Sequence, residues 1–236
     1  MGLEKGKDYR YRLSLGDRND DKKYFKDDKA WAKAEDVLRS VLVKTKSPYF
    51  EANGEAAFYG PKIDVQMKKI SGKEETAFTV QYDFVMPKRF NLIYISENGK
   101  EEQPIVIHRS SIGAIERVMA FLIERYNGSF PVWLSPLQVK ILPITDRNSK
   151  YAKSVLESLI KANIRTELDD RSETLSSKIR DAQNDKVPYM IIIGDKEEKA
   201  KKVAVRLRTE KDLGQKDLQE LLKEIKANIE NKSLEL

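Results

Sequence analysis

The chain has 236 residues, is 40% hydrophobic and 35% charged, and carries a net charge of +6 shared by both halves. At roughly 100–150 residues per domain, that length accommodates two packed cores. Cysteine is absent, which excludes disulfides and thiolate metal sites, and no apolar run approaches the ~20 residues of a membrane span.

Residues 9–15 (YRYRLSL) alternate and predict a strand, and DKAWAKAEDVLRSVL places Trp31, Ala34, Val37, Leu38 and Val41 at helical spacing. A block of strands follows at 56–58, 63–67, 77–84, 92–95 and 105–108. Asn98-Gly99 between the last two is a hairpin signal, so the block reads as antiparallel. A helix over 114–126 closes it, with Ile115, Val118, Met119 and Leu122 expected inside. GSFPVWLSP (128–136) reads as a linker. Beyond it strands and helices alternate: VKILPI, a helix over 151–162, IRTELD, a helix over 175–185, PYMIIIG, VAVRLR, and a last helix over 215–229. Strands separated by helices of this length imply right-handed crossovers and a mostly parallel, mixed sheet. The expected architecture is thus an antiparallel α+β domain, residues 1–133, followed by a small α/β domain, residues 134–236. The N-terminus MGLEKGKDYRYRL lacks the apolar core of a signal peptide, so a cytoplasmic protein with no membrane partner is expected.

Side-chain alternation sorts the strand block into two faces. Phe78, Val80, Tyr82 and Phe84 oppose Thr79, Gln81 and Asp83, and Ile63, Val65 and Met67 oppose Lys62, Asp64 and Gln66. The polar face suits a polar ligand, and it equally suits a sheet with one wet side. The single histidine, His108, ends a strand just before a helix, and with one histidine a Ser-His-Asp triad is not expected. In the second domain Lys202, Ala204, Arg206 and Arg208 fall on one strand face, a spacing that fits an RNA backbone and also fits a charged edge strand.

Three stretches, GEAAFYGPKID (54–64), FTVQYDF (78–84) and HRSSIGAIER (108–117), together resemble the class II aminoacyl-tRNA synthetases of the threonyl type. FPVWLSPLQVKILPIT and VPYMIIIGDKE are similar to parts of that family's anticodon-binding domain, so the resemblance runs from about Asp8 to the C-terminus. It implies the later part of a class II catalytic sheet, then an anticodon-binding domain, and a threonine–tRNA ligase as the activity. On that resemblance Arg117 is expected at the γ-phosphate of ATP, Thr79 and Gln81 on the adenylate side, and Lys62 near the reacting groups. Tyr59 and His108 are expected at threonine, His108 as a zinc ligand, and Arg180, Lys186, Glu197 and Arg206 at the anticodon. The implied partners are threonine tRNA, ATP and threonine, with zinc, with magnesium accompanying ATP, and with a homodimer for the complete enzyme.

The chain departs from the family at Thr76, Phe78, Ser110 and Ala114, and in the second domain at Ser172 and Thr174. It also shows no counterpart of the family's first two motifs or of the cysteine and second histidine that complete the zinc site. One histidine is too few for zinc, which takes three or four protein ligands. The expectation is therefore a C-terminal portion of such an enzyme, catalytically incomplete by itself, with anticodon recognition retained. The alternative is a non-catalytic RNA- or protein-binding module derived from one.

Overall fold

The alternating YRYRLSL does build a strand, β1 (Tyr9–Leu15), and its apolar members Leu13 and Leu15 turn toward the first helix, α1 (Asp28–Lys44). Asp27 starts α1 by accepting the N–H of Ala30 at 3.0 Å, with Asp28 in the first turn and Lys44 in the last, as the helix dipole favours. The face that enters the core is Trp31, Ala34, Leu38 and Leu42, while Val37 and Val41 of the expected face are exposed. Trp31 is 1% exposed and its indole N–H donates to Phe25 O at 2.8 Å. Burying each large side chain of this stripe contributes roughly 1.5–3 kcal/mol.

The structure, a computed structural model, describes residues 2–236, which divide into two units, Gly2–Arg125 and Tyr126–Leu236. In the first, β2 (Tyr49–Asn53), β3 (Lys62–Lys68) and β4 (Glu74–Asp83) precede a short helix α2 (Met86–Arg89). Then come β5 (Tyr94–Ile95), β6 (Glu101–Glu102), β7 (Val106–Arg109) and helix α3 (Ile115–Tyr126). The main sheet has the order β2-β1-β3-β4-β7, antiparallel throughout except for the parallel pair β1–β2. Two sequence expectations are corrected here. Residues 56–58 form no strand; the strand of that region is β2. The Asn98-Gly99 turn joins β5 to β6 in a separate two-stranded hairpin, and β7 pairs with β4 instead. A third correction concerns α3, where Phe121 is the buried residue and Ile115 and Met119 are 65% and 56% exposed.

The second unit holds β8 (Val139–Pro143), α4 (Ser149–Lys161), β9 (Thr166–Leu168), α5 (Leu175–Asn184), β10 (Tyr189–Ile193), α6 (Asp195–Ala200), β11 (Val203–Leu207), β12 (Asp212–Lys216) and α7 (Leu218–Glu230). Its sheet runs β12-β11-β10-β8-β9, with β8, β9 and β10 mutually parallel and the other two antiparallel. The apolar runs VKILP and YMIII occupy the middle because both of their faces are covered. One face packs on α4 and α7, the other on α5. Arg208 lies just past β11 and, rather than presenting itself to RNA, donates to the backbone carbonyls of Ser129 (2.9 Å) and Phe130 (2.6 Å). No helix among the described residues is long and apolar enough to cross a membrane.

Candidate functional site

Register carries the polar residues of four strands into rows across one face of the first sheet. Ser14 lies beside Lys62, Lys62 beside Gln81, and Gln81 beside His108. The next row is Arg12, Asp64 and Thr79, and the third, past a bulge between Val65 and Gln66, is Arg10, Gln66 and Thr76. Neighbouring strands are about 4.8 Å apart, so each row is a set of side chains in reach of one another. The structure thus brings Lys62, Thr79 and Gln81, which alternation put on the polar faces of their strands, together with His108.

Tyr59 joins them from the loop before β3. Its hydroxyl donates to the Gln81 side-chain carbonyl, and Gln81 Nε2 donates to Thr79 Oγ1 at 3.0 Å. Its ring lies 5.5 Å from the imidazole of His108, tilted by 52°. Burial, and after it the charge of Asp83, push the Tyr59 phenol above its usual pKa. The hydroxyl is therefore a neutral donor at physiological pH. Gly60 follows because the chain there passes against β4: a Cβ on it would sit 1.8 Å from Tyr82 O.

Two groups that alternation put on this face were given no role by the sequence reading. The first is Asp64, fully buried, whose Oδ2 accepts from Ser14 Oγ (2.7 Å) and Arg12 Nη2 (2.8 Å) and lies 3.3 Å from Lys62 Nζ. Its other oxygen, Oδ1, is buried without a hydrogen-bond partner among the described residues. Lys62 and Arg12 are thereby held upright over the sheet by one carboxylate. The signal was present, since YRYRLS alternates just as KIDVQ does, but the pairing of β1 with β3 was not legible. The second is Asp83, fully buried, with Oδ2 2.8 Å from His108 Nε2.

Arg117 enters from the first turn of α3. Its Nη1 donates to Thr76 O at 2.6 Å and its Nε stands 3.5 Å from Glu75 Oε1. Together with Lys69, Thr76, Ala77 and Phe121 it lines a cavity of about 320 Å³ between α3 and the β3–β4 hairpin. The glycine of HRSSIGAIER makes that approach possible. Gly113 has φ of +75°, and a Cβ on it would lie 2.0 Å from Ala77 O. Ser110 closes the turn by accepting the Gly113 N–H at 2.8 Å. Gly113→Ala is expected to destabilise the first unit by about 2 kcal/mol or more, because backbone strain and overpacking act together. Urea unfolding read by Trp31 fluorescence in a Trp133→Phe background checks this, and an unchanged midpoint contradicts it.

In the second unit the expected anticodon residues do not form one cluster. Glu197 is 9% exposed and already engaged, accepting from Gly194 N (3.0 Å) and Gln215 Nε2 (2.6 Å). Lys186 precedes β10 and donates to Asn127 O, whereas Glu197 follows the far end of that strand. Arg180 is exposed on α5, and Arg206 lies on β11 opposite Met190, its Nε buried with no partner among the described residues. Thr174 has become the N-cap of α5, accepting from Ser177 N at 3.3 Å. Near it, at the carboxyl ends of β8 and β9, an open cavity of about 400 Å³ is lined by Thr145, Arg171, Ser172, Thr174 and Lys178 among others. Lys178 is nearly buried and donates to Pro143 O (3.2 Å) and Asp169 O (3.1 Å). Arg171 donates to Asp169 and holds its carboxyl below the usual range.

Comparison with known proteins gives the two units separate matches. Residues 17–126 match the tRNA synthetase class II core domain (G, H, P, S and T), and residues 138–228 match an anticodon binding domain. The threonine–tRNA ligase of Halalkalibacterium halodurans is 47% identical over 93% of this chain and 34% of its own length. That of Listeria monocytogenes is 48% identical over 94% of this chain and 35% of its own. The chain thus spans about a third of the length of the curated relatives it matches. Among solved structures, the RNA binding domain of threonyl-tRNA synthetase from Cryptosporidium parvum aligns with a TM-score of 0.84 at 33% identity, over 93% of this chain and 55% of that one. A putative threonyl-tRNA synthetase from Aeropyrum pernix aligns with a TM-score of 0.74 at 27% identity, over 99% of this chain and 57% of that one.

Proposed function

Because the chain belongs to the class II tRNA synthetases, with core and anticodon-binding domains like those of threonine–tRNA ligases, we propose that it carries one wall of a threonyl-adenylate site and the domain that reads the tRNA. The observation that carries this reading is the row of Lys62, Gln81 and His108, linked through Tyr59 and Thr79 on one sheet face. Arg117 is the group for the far phosphate of ATP, Thr79 and Gln81 face the adenylate, and Lys62 stands near the reacting carboxylate. Tyr59 and His108 take threonine. Magnesium accompanies ATP, and the complete enzyme is a homodimer in this reading, in the cytoplasm.

Zinc does not fit these residues alone. His108 is the only histidine, cysteine is absent, and no group of three or more His, Asp or Glu among the described residues could hold a metal ion. Zinc takes three or four protein ligands, so an ion at His108 requires donors from outside the described residues.

A non-catalytic RNA-binding module remains the second reading, favoured by the engagement of Arg117 with Thr76 O and Glu75. Both readings share the RNA. Arg206 supports it most directly, since its side chain is only half-buried on β11 and its guanidinium makes no hydrogen bond or ion pair among the described residues. Binding of threonine tRNA to the 236-residue chain tests the proposal. Arg206→Ala is expected to weaken it by about 1–3 kcal/mol with discrimination reduced, as when a paired base contact is lost. Lys202→Ala is expected to act mainly through the salt dependence. Equal losses for both variants on a tRNA of scrambled anticodon would remove the claim of specific reading.

A further inference from the structure

Asp83 ends β4 and is fully buried, yet nothing in the fold requires it to face a histidine. Its Oδ1 accepts the N–H groups of Val85 (2.9 Å) and Met86 (2.8 Å), which pins the carboxylate to the turn entering α2. That turn is complete without a third partner. The remaining oxygen, Oδ2, is aimed at Nε2 of His108 across the sheet, 2.8 Å away. His108 comes from β7, where Gln81 of β4 is its direct neighbour, so Asp83 reaches it diagonally along the same face.

The His108 side chain is 46% exposed, so burial does not hold its ring in place. A half-exposed imidazole left to itself samples several rotamers and both neutral tautomers. Here two contacts remove that freedom. The Tyr59 ring backs the imidazole at 5.5 Å, and the Asp83 carboxylate, which has only acceptors to offer, takes a hydrogen bond from Nε2. With the proton on Nε2 the unshared pair lies on Nδ1, for which the structure shows no hydrogen bond among the described residues.

We propose that Asp83 is a positioning residue: it fixes the plane of the His108 ring and selects the Nε2–H tautomer, so that Nδ1 offers its unshared pair to the ligand of this face. The assignment rests on the reading of His108 as a residue that meets substrate. It adds how that residue is prepared, because the atom a histidine presents is set by the hydrogen bond its other nitrogen makes. Asp83 touches no substrate in this account and acts through His108.

His108 is the sole histidine of the chain, so selective ¹⁵N-histidine labelling of the full 236-residue protein yields one ring spin system. The measurement is the ratio of the two neutral tautomers from the ring nitrogen shifts, at about pH 9, well above the ordinary histidine pKa of about 6.5. Wild type is expected to favour Nε2–H roughly tenfold or more over the ratio in N-acetylhistidine amide, as a hydrogen bond to a carboxylate dictates. Asp83→Asn is expected to reverse the preference. The asparagine carbonyl can keep the two backbone N–H bonds while its amide N–H₂, now facing Nε2, demands an acceptor there and moves the proton to Nδ1. Unshifted Val85 and Met86 amide resonances verify that the turn survives. A wild-type ratio equal to that of the free amide overturns the proposal, as does a folded variant whose ratio matches wild type. Should the variant fail to fold, the wild-type ratio alone decides. The readout needs no ATP, threonine or tRNA, so a failure of the ligase reading shows separately, in adenylation and tRNA-binding assays, and leaves this ratio untouched.

Discussion

Supplied with threonine, ATP, magnesium and zinc, the purified 236-residue chain is expected to exchange pyrophosphate into ATP no faster than a protein-free control. Adenylate formation needs the threonine carboxylate held in line with the α-phosphate, and fixed donors where charge develops. The guanidinium groups placed on the polar face are each engaged by carboxylates of their own unit. Arg12 bonds Asp64 and stands 3.4 Å from Glu55, while Arg10 bonds Glu74 and lies over the Phe50 ring. Arg117 is turned to Thr76 O and Glu75. Among the described residues that leaves no free guanidinium over the Lys62–Gln81–His108 row, and among them His108 has no partner ligands with which to grip an amino acid through a metal. Loss of a single such donor costs about 10²–10³ in rate, so two or more missing groups bring the reaction to background. Robust exchange that His108→Ala abolishes would contradict this and show that the site is complete in the chain.

The second large effect concerns what each unit does when separated. Tyr126–Leu236 is expected to unfold in one cooperative thermal transition, because its sheet is covered on both faces and its core side chains, from Val139 and Ile141 to Tyr189, Ile191 and Leu221, are fully buried. Gly2–Arg125 is expected to self-associate. Its polar face is satisfied by its own ion pairs and hydrogen bonds, but the other face is only partly covered, by α1 and by Phe121 of α3. Ile107 of β7 is 53% exposed, and Ile115, Met119 and Ile123 run as an exposed stripe along α3 at a spacing of four. Phe90, Ile93 and Ile95 are exposed as well, and β7 ends the sheet with an unpaired edge. An open edge beside apolar surface is a template for association. Thermal unfolding of separated Tyr126–Leu236, and light scattering with dye binding on separated Gly2–Arg125, check the two statements. A monomeric Gly2–Arg125 that binds no hydrophobic dye, or a Tyr126–Leu236 without a cooperative transition, would each contradict the account.

The α3 stripe also shows where sequence reading stops. Helical periodicity identified an apolar face at Ile115, Val118, Met119 and Leu122, but a period says nothing about whether anything lies against that face. Of that face Leu122 does pack against the Val65, Met67 and Ala77 cluster, but the buried residue there is Phe121, and Ile115 and Met119 stay exposed. The polar face was legible because alternation is local: KIDVQ and TVQYD declare their sides without knowledge of their neighbours. Pairing is not local, so Asp64 with Arg12, and Asp83 with His108, emerged only from register. β2 was missed since a parallel partner of β1 leaves no turn signal, and β12 since DLGQK has a glycine and no apolar alternation. Lys186 and Glu197 were assigned to the anticodon by resemblance alone, and only the topology shows that β10 lies between them.

The proposal that the second unit reads the threonine anticodon is tested most directly by a binding competition with the full 236-residue protein. Two RNAs are compared at one fixed salt concentration: the anticodon arm of threonine tRNA, and the same arm with only its anticodon bases exchanged. Backbone attraction is equal for both, so any difference is base reading. At least about tenfold tighter binding of the threonine arm is expected, the effect of roughly one good base contact. Equal affinity for the two arms would contradict it.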